Sequence, residues 1–496
     1  MNHNKIKLFI ISASISNLLL TSSWYYLGIY SSNLRYYFYE KPSVESVLSI
    51  SLFLGFGVLI FLLLKYFDNK KFLKIETFFK FTFFILVFDV LRRLSGLLSL
   101  SILIQYKIFF VLIFLLIVIF FFKFYKILNK IISIFFLVLS PFILINAGNL
   151  IYMNFIINWD NNKKLITSKN YTNNNNKIIY LIFDELDQKF IDTGNYKSFN
   201  NLINQADYYT NTLAASDNTI TNMISIITGA DLKTELPIDK KFYKFSNNEI
   251  SFTQNDKKYN LSEYTNLFNT FDKKKYKVGV VGSFHRYCNL FYKNLNMCFE
   301  MNDETFTIKN LGIKKYLIYS LTNIIPANSK INFLANHSIM NYHLSDSPNL
   351  RIKNIIKLKK IVKELINNND FIFIHLPLPH KPWVYKGGKI TSENINQLNN
   401  SEENYSNNMI LTDIFLEDII SELKEKKIYE SSTIILSSDH SWRARKDYVS
   451  PKINTNIYDD NIVLIVKNQN QNQGKKILKQ TFIHDIFKII EQVSNN

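Results

Sequence analysis

Cysteine is scarce: Cys288 and Cys298 are the only two in 496 residues. That excludes a multi-bridge disulfide scaffold and leaves room for one intrachain bridge. The two lie ten positions apart (298 − 288 = 10) in one soluble segment. Outside the cytoplasm they would pair locally; inside it they would stay thiols. Acidic residues are also short, 40 against 58 Lys+Arg, a surplus of 58 − 40 = 18 positive charges. No nucleic-acid motif accompanies that surplus. It suits an anionic membrane surface, or simply a solvated lysine-rich exterior. Long apolar runs are nearly absent after about residue 156, so membrane spans are confined to the part before it. The first run lacks a small-residue cleavage pattern and reads as an anchor, not a removable signal.

What is present before residue 156 is five apolar segments, at about 7–30, 46–66, 77–91, 107–122 and 131–155. About 20 helical residues cross a ~30 Å hydrocarbon core. Lys5 and Lys7 precede the first segment, Lys65, Lys70, Lys71 and Lys74 follow the second, and Lys123, Lys126 and Lys130 follow the fourth. Five spans place all three groups on one side, which the positive-inside rule makes the cytoplasm. Residues after 156 then lie outside. Arg92 and Arg93 fall against this rule, beside Asp89. No interrupted, repeated pair of segments is present, which argues against a transporter. The expected organisation is a transmembrane domain at 1–156, an Asn/Lys-rich linker at 157–177 and an extracytoplasmic domain at 178–496.

In that last part, continuous apolar runs read as strands covered on both faces: 178–183, 277–281, 371–375, 433–437 and 462–466. Helical stretches at 262–273, 352–367, 406–425 and 481–491 alternate with them. In 406–425, Met409, Ile410, Phe415, Leu416, Ile419, Ile420 and Leu423 fit one face. The expected fold is α/β, a mostly parallel sheet with helices on both faces.

Ligands of such sheets bind beyond the carboxyl ends of the strands. There the sequence places Asp184-Glu185, Ser283-Phe284-His285, His375 leading to His380, and Asp439-His440. Carboxylates with imidazole suit zinc or manganese, and oxygen-rich shells suit manganese, magnesium or calcium. The candidate nucleophile lies in 216–229, where polar residues lead into an apolar helix closed by Gly229. Thr219 stands where a helix start favours an anion. Thr219 or Asp217 acting only as the helix cap is the competing reading. His375, His484 and Asp485 read as structural, and Asp413 as a further candidate site residue.

The ordered set Ile178–Glu185, the Thr219 helix, His380-Lys381-Pro382-Trp383 and Ser438-Asp439-His440-Ser441 resembles the alkaline phosphatase superfamily, in its sulfatase and phospholipid-headgroup transferase branch. The resemblance spans about 178–490. It implies Asp184, Asp439 and His440 as metal ligands, Glu185 as a further ligand and Thr219 as a metal-facing nucleophile. It also implies His380 and His285 beside the substrate. Thr219 stands ten residues before Gly229 (229 − 219 = 10), the family position of the nucleophile. Neither the proline nor the arginine of the formylglycine signature follows it, and threonine cannot become formylglycine. Threonine there, after five spans, is similar to phosphoethanolamine and phosphoglycerol transferases of the lipoteichoic-acid-synthase type. Glu185 after Asp184, and His285, are instead sulfatase-like. The function implied is transfer of a phospholipid headgroup to an envelope glycan or lipid through a phosphothreonine, at the plasma membrane. A sulfuric or phosphoric ester hydrolase is the alternative.

Overall fold

The computed structural model describes residues 3–21, 24, 43–68, 72–95, 107–156, 171, 176–214, 216–231, 243–245, 249–254, 257–301, 313, 317, 347–397, 399–446 and 461–494. These fall into two compact units, one within 1–159 and 306–342 and one within 160–305 and 343–496. Most of the 157–177 linker lies outside the described residues.

The first unit is helical: α1 (His3–Leu19), α2 (Ser43–Phe67), α3 (Leu73–Ser95), α4 (Lys107–Val138) and α5 (Pro141–Ile151), the last continued by a π-turn at Tyr152–Ile156. Among the described residues, two stretches are long and apolar enough to cross a membrane, Ser43–Phe67 and Lys123–Phe155. The boundary expected between 122 and 131 differs. Lys123, Lys126 and Lys130 lie inside α4, which kinks at Phe124 (φ −118, ψ 17) without ending. Residues 123–130 contain no Gly or Pro to stop a helix, and the break comes at Pro141. Several polar side chains between the helices bond one another. Lys80 Nζ meets Glu76 at 2.5 Å, Asn129 at 3.0 Å and Ser133 at 3.2 Å. Asn146 Nδ2 donates to Asn17 at 2.8 Å.

The second unit is built on an eight-stranded sheet. In chain order its strands are β1 (Ile178–Phe183), β2 (Asp207–Tyr209), β3 (Val278–Ser283), β4 (Met297–Met301), β5 (Phe371–Leu376), β6 (Thr433–Ser438), β7 (Leu464–Lys467) and β8 (Lys475–Ile477). Their order across the sheet is β8-β2-β7-β6-β1-β5-β3-β4. Every pairing is parallel except the two that β7 makes, with β6 and β2. β1, β5 and β6 are buried at every residue, which is why each reads as an unbroken apolar run.

Alternation along the strands assigns the two faces. Ile179, Leu181, Phe183, Ile372, Ile374 and Leu376 join one core with helices at 347–368 and 402–425. Phe371 and Phe373 point the other way. There Phe371 stacks on Phe271 with centroids 3.9 Å apart, and Phe373 meets Phe268 at 5.1 Å. Each such buried aromatic pair contributes about 0.5–1.5 kcal/mol beyond its area.

The unit's main helices are labelled onward as α6 (Thr219–Thr228), α7 (Leu267–Lys273), α8 (Ser347–Asn368), α9 (Glu402–Glu425) and α10 (Asp485–Val493). α7 begins five residues later than its apolar pattern suggested, because Asn266 caps it by accepting from Asn269 N at 3.0 Å. Thr481–Phe482, read as helix, is a short strand against Thr212–Leu213. Ile410, read as core, is 43% exposed. Cys288 and Cys298 form a disulfide with Cα atoms 5.5 Å apart, tying the segment after β3 to β4.

Candidate active site

Register sets the site. Phe183 pairs with Leu376 on one side and Ser438 on the other, so Asp184 and Asp439 leave the sheet at one level. Asp184 N donates to Leu376 O at 2.9 Å, which fixes the turn. Asp439 Oδ1 accepts from Glu185 N at 3.1 Å and from His440 N at 2.8 Å, joining the two strand ends. Glu185 is held at φ 64, a conformation disfavoured for a side-chain-bearing residue. Tyr405 stabilises it by donating to Glu185 O at 2.6 Å and accepting from Asp187 N at 3.0 Å. Tyr405 in turn stacks on Trp442 at 4.3 Å.

The structure brings Asp184, Asp439 and His440 together. Each offers a ligand atom, and these lie within 4.8 Å of one another, all buried. His440 Nε2 is 3.4 Å from Asp439 Oδ2 and 3.7 Å from Asp184 Oδ1. Its Nδ1 lies 2.9 Å from the Ser441 carbonyl, which can only accept. Nδ1 therefore carries a proton, and Nε2 is the ring nitrogen directed at both carboxylates. Asp184 Oδ1 and Asp439 Oδ2 are buried without a hydrogen-bond partner. Burial and the charge of Asp439 push the Asp184 carboxyl well above its ordinary range. Burial also opposes the charge of Asp439, but His440, His375 and its hydrogen bonds outweigh burial and hold it low. Three converging lone-pair groups with little hydrogen between them fit a divalent cation.

Thr219 joins this cluster, with Oγ1 3.3 Å from His440 Nε2. It is the first residue of α6 and is buried. Neither it nor Asp217 caps the helix. Asn218 does, its side chain accepting from Thr221 N at 3.0 Å. Gly229 closes α6 at φ 69, a left-handed turn that favours glycine.

Glu185 stands apart from the three-residue group. Its carboxylate pairs with Arg443 Nε at 2.9 Å, and Arg443 Nη1 also reaches Asp217 O at 3.2 Å. Arg443 thus ties the β1 end to the turn that presents Thr219. His380 lies on the rim of a cleft of about 240 Å³, with Glu185, Lys381, Trp383, Asn400 and Arg443 among its walls. Its backbone N donates to Asp184 O at 3.2 Å.

His285 is buried, and burial, then His375, pulls its imidazole down to about 3. Phe284 before it sits at φ 71. His375, read as packing, lies on the same sheet face. Its Nδ1 is 2.8 Å from Tyr287 Oη, and burial pulls its imidazole down to about 4 although Asp439 works the other way. Tyr287 can lie on β3 because Gly282 is there: a Cβ would come within 2.4 Å of its ring. Sequence reading missed the part His375 plays near Asp439, since it ends an apolar run like any core residue. It also missed Arg443, which only its follow-on from Asp439-His440 could have flagged. Asp413 is structural, accepting from Ser198 N at 2.9 Å and Phe199 N at 3.0 Å at a helix start. His484 stacks on Phe482 at 5.6 Å.

A family model described as Sulfatase matches residues 177–488. No curated protein matches the chain by sequence. Among solved structures, the chain is similar to the phosphonate monoester hydrolase of Agrobacterium radiobacter, at 11% identity and TM-score 0.41, covering 64% of this chain and 74% of that one. It is similar to the lipoteichoic acid synthase LtaP from Listeria monocytogenes, at 14% identity and TM-score 0.36, covering 64% and 71%. It is also similar to a 2-O GAG sulfatase, at 11% identity and TM-score 0.39, covering 64% and 70%.

Proposed function

The chain belongs to the sulfatase family, and on that premise we propose that this alkaline phosphatase superfamily enzyme is a membrane-anchored phosphotransferase. It moves a phospholipid headgroup, phosphoethanolamine or phosphoglycerol, to an envelope glycan or lipid. The observation that carries the reading is Thr219 Oγ1, 3.3 Å from His440 Nε2, at the mouth of a buried cluster of lone-pair groups.

Asp184, Asp439 and His440 would hold a divalent cation. Two carboxylates and an imidazole suit zinc or manganese better than magnesium or calcium. Such an ion, when bound, polarises an ester oxygen and lowers the pKa of a hydroxyl beside it. Thr219 gives up its proton and its Oγ1 bonds to phosphorus. The bond from phosphorus to the lipid alcohol breaks, and the departing alcohol takes up a proton. The start of α6 favours the anion formed there. His380 and His285 act beside the substrate, and His380, Lys381 and Arg443 line the cleft with groups suited to an anionic ester. An acceptor hydroxyl then loses its proton and bonds to phosphorus, the bond from phosphorus to Thr219 Oγ1 breaks, and Thr219 Oγ1 takes up a proton.

In this reading the apolar helices before residue 156 anchor the chain in the membrane and the catalytic unit lies outside the cytoplasm. The Cys288–Cys298 disulfide supports an oxidising compartment. A second reading replaces the acceptor by water, giving an ester hydrolase. Glu185 directly after Asp184, and His285, resemble the sulfatases and favour it.

The test is detergent-purified protein with manganese and a fluorescent-headgroup phospholipid, wild type against Thr219→Ala. Diacylglycerol released only by wild type, with the headgroup on an added acceptor and not free in solution, supports the transferase reading. No action on lipid, with cleavage of an aryl sulfate or soluble phosphodiester by wild type, would leave the fold and remove the transferase.

A further inference from the structure

The loop that carries His380, residues 377–383, follows β5 and has no regular pairing of its own at 377–382. Its carbonyls need donors, and two side chains supply most of them. Arg351 of α8 is 0% exposed. Its Nη1 donates to Pro377 O, and to His380 O at 3.2 Å; its Nη2 donates to Lys381 O at 3.3 Å. Asn408 of α9 is also 0% exposed. Its Nδ2 donates to Pro379 O at 3.1 Å and Pro382 O at 3.3 Å, while its Oδ1 accepts from Val384 N at 3.0 Å. Five carbonyls of the loop are thus held from two different helices.

These bonds bear directly on the imidazole. His380 Nδ1 is 2.6 Å from Lys381 O, a carbonyl that Arg351 also grips. The carbonyl engages Nδ1 as a donor, so Nε2 is the atom left to the cleft. His380 N is at the same time bonded to Asp184 O at 3.2 Å. Loop, imidazole and the backbone at the end of β1 are therefore one connected network. A planar guanidinium with several donors in fixed directions can hold successive carbonyls in a way that a lysine ammonium cannot.

We propose that Arg351 and Asn408 form a positioning clamp that fixes the orientation of His380 toward the ester, without touching substrate themselves. The proposal rests on the reading that His380 acts beside the ester.

The test is a pair of double-mutant cycles, Arg351→Lys with His380→Ala and Asn408→Ala with His380→Ala, in full-length protein. The assay is kcat and KM on the fluorescent-headgroup phospholipid, with Tm recorded in parallel. Each clamp variant alone should lower kcat about 10- to 100-fold, the scale of misplaced catalytic groups, while KM changes much less. In the His380→Ala background neither should lower kcat further. Losses that multiply with His380→Ala overturn the clamp and leave the function reading intact. An unchanged kcat in His380→Ala alone overturns the role given to His380, and the clamp with it. If Arg351→Lys does not accumulate as folded protein, the Asn408 cycle decides, since the clamp requires both residues to act through His380.

Discussion

Asp439→Asn separates the structural and the metal-holding parts of one carboxylate. Asp439 Oδ1 accepts two backbone N–H groups, at 3.1 and 2.8 Å, and Oδ2 faces His440 Nε2 at 3.4 Å. Alanine would remove two hydrogen bonds to a charged group, about 1.5–3 kcal/mol each. Asparagine keeps an acceptor for the two N–H groups and can offer its amide to the His440 lone pair. Metal-free Asp439→Asn should therefore lose less than about 2 kcal/mol. The loaded protein behaves differently. A cation at 100 times its Kd stabilises wild type by about 2.7 kcal/mol. At roughly 2–4 °C per kcal/mol, that is a rise of about 5–10 °C in Tm. The assay is thermal unfolding after chelation, then after titration with manganese or zinc. Wild type should show the rise. Asp439→Asn should show a near-normal metal-free Tm and almost none of it. A full metal-dependent rise in Asp439→Asn would refute the assignment of Asp439 as a ligand.

Three further outcomes follow from particular contacts. Gly229→Ala forces a side chain onto φ 69, costing about 1–2 kcal/mol, and its Cβ would meet Phe487 Cγ at 2.9 Å; unfolding in urea should show a matching fall in stability. Tyr405→Phe strips a donor from Glu185 O and an acceptor from Asp187 N, both buried. It should cost about 1–3 kcal/mol for each orphaned group, read as a lower midpoint in denaturant. Burial raises the Glu300 carboxyl from 4.5 to about 7, against the pull of Arg286 and two backbone N–H groups. The folded state thus holds the proton more tightly than the unfolded one. This stabilising contribution is full below pH 4.5 and is lost as pH rises through 7. Wild type minus Glu300→Gln stability, measured by denaturation from pH 4 to 8, should fall across that window; a flat difference would refute the assignment.

How much could be read beforehand depended on burial. β1, β5 and β6 were legible almost to the residue because both of their faces are covered, so sequence and strand coincide. β2 and β8, three residues each near one sheet edge, carry too few residues to show a period. The three-stranded antiparallel sheet at 243–260 is hidden in Lys- and Asn-rich sequence that resembles loop. Asp184 and Asp439-His440 were legible because charge directly follows an apolar run. His375 was not, because it lies inside one. The competing reading, Thr219 or Asp217 as the cap of α6, fails: Thr219, Asp217 and Asn218 are all cap formers, and only geometry selects Asn218. Arg351, Asn408 and Arg443 sit in polar or lysine-rich stretches, where nothing local separates a buried clamp from a solvated side chain.

The central claim is a covalent bond to Thr219, and mass spectrometry of the acid-quenched reaction tests it most directly. With headgroup-labelled phospholipid and manganese, the account predicts the headgroup phosphate on the peptide containing Thr219, absent in Thr219→Ala. Product formation with an unmodified Thr219 peptide, or with the label on another residue, would contradict it.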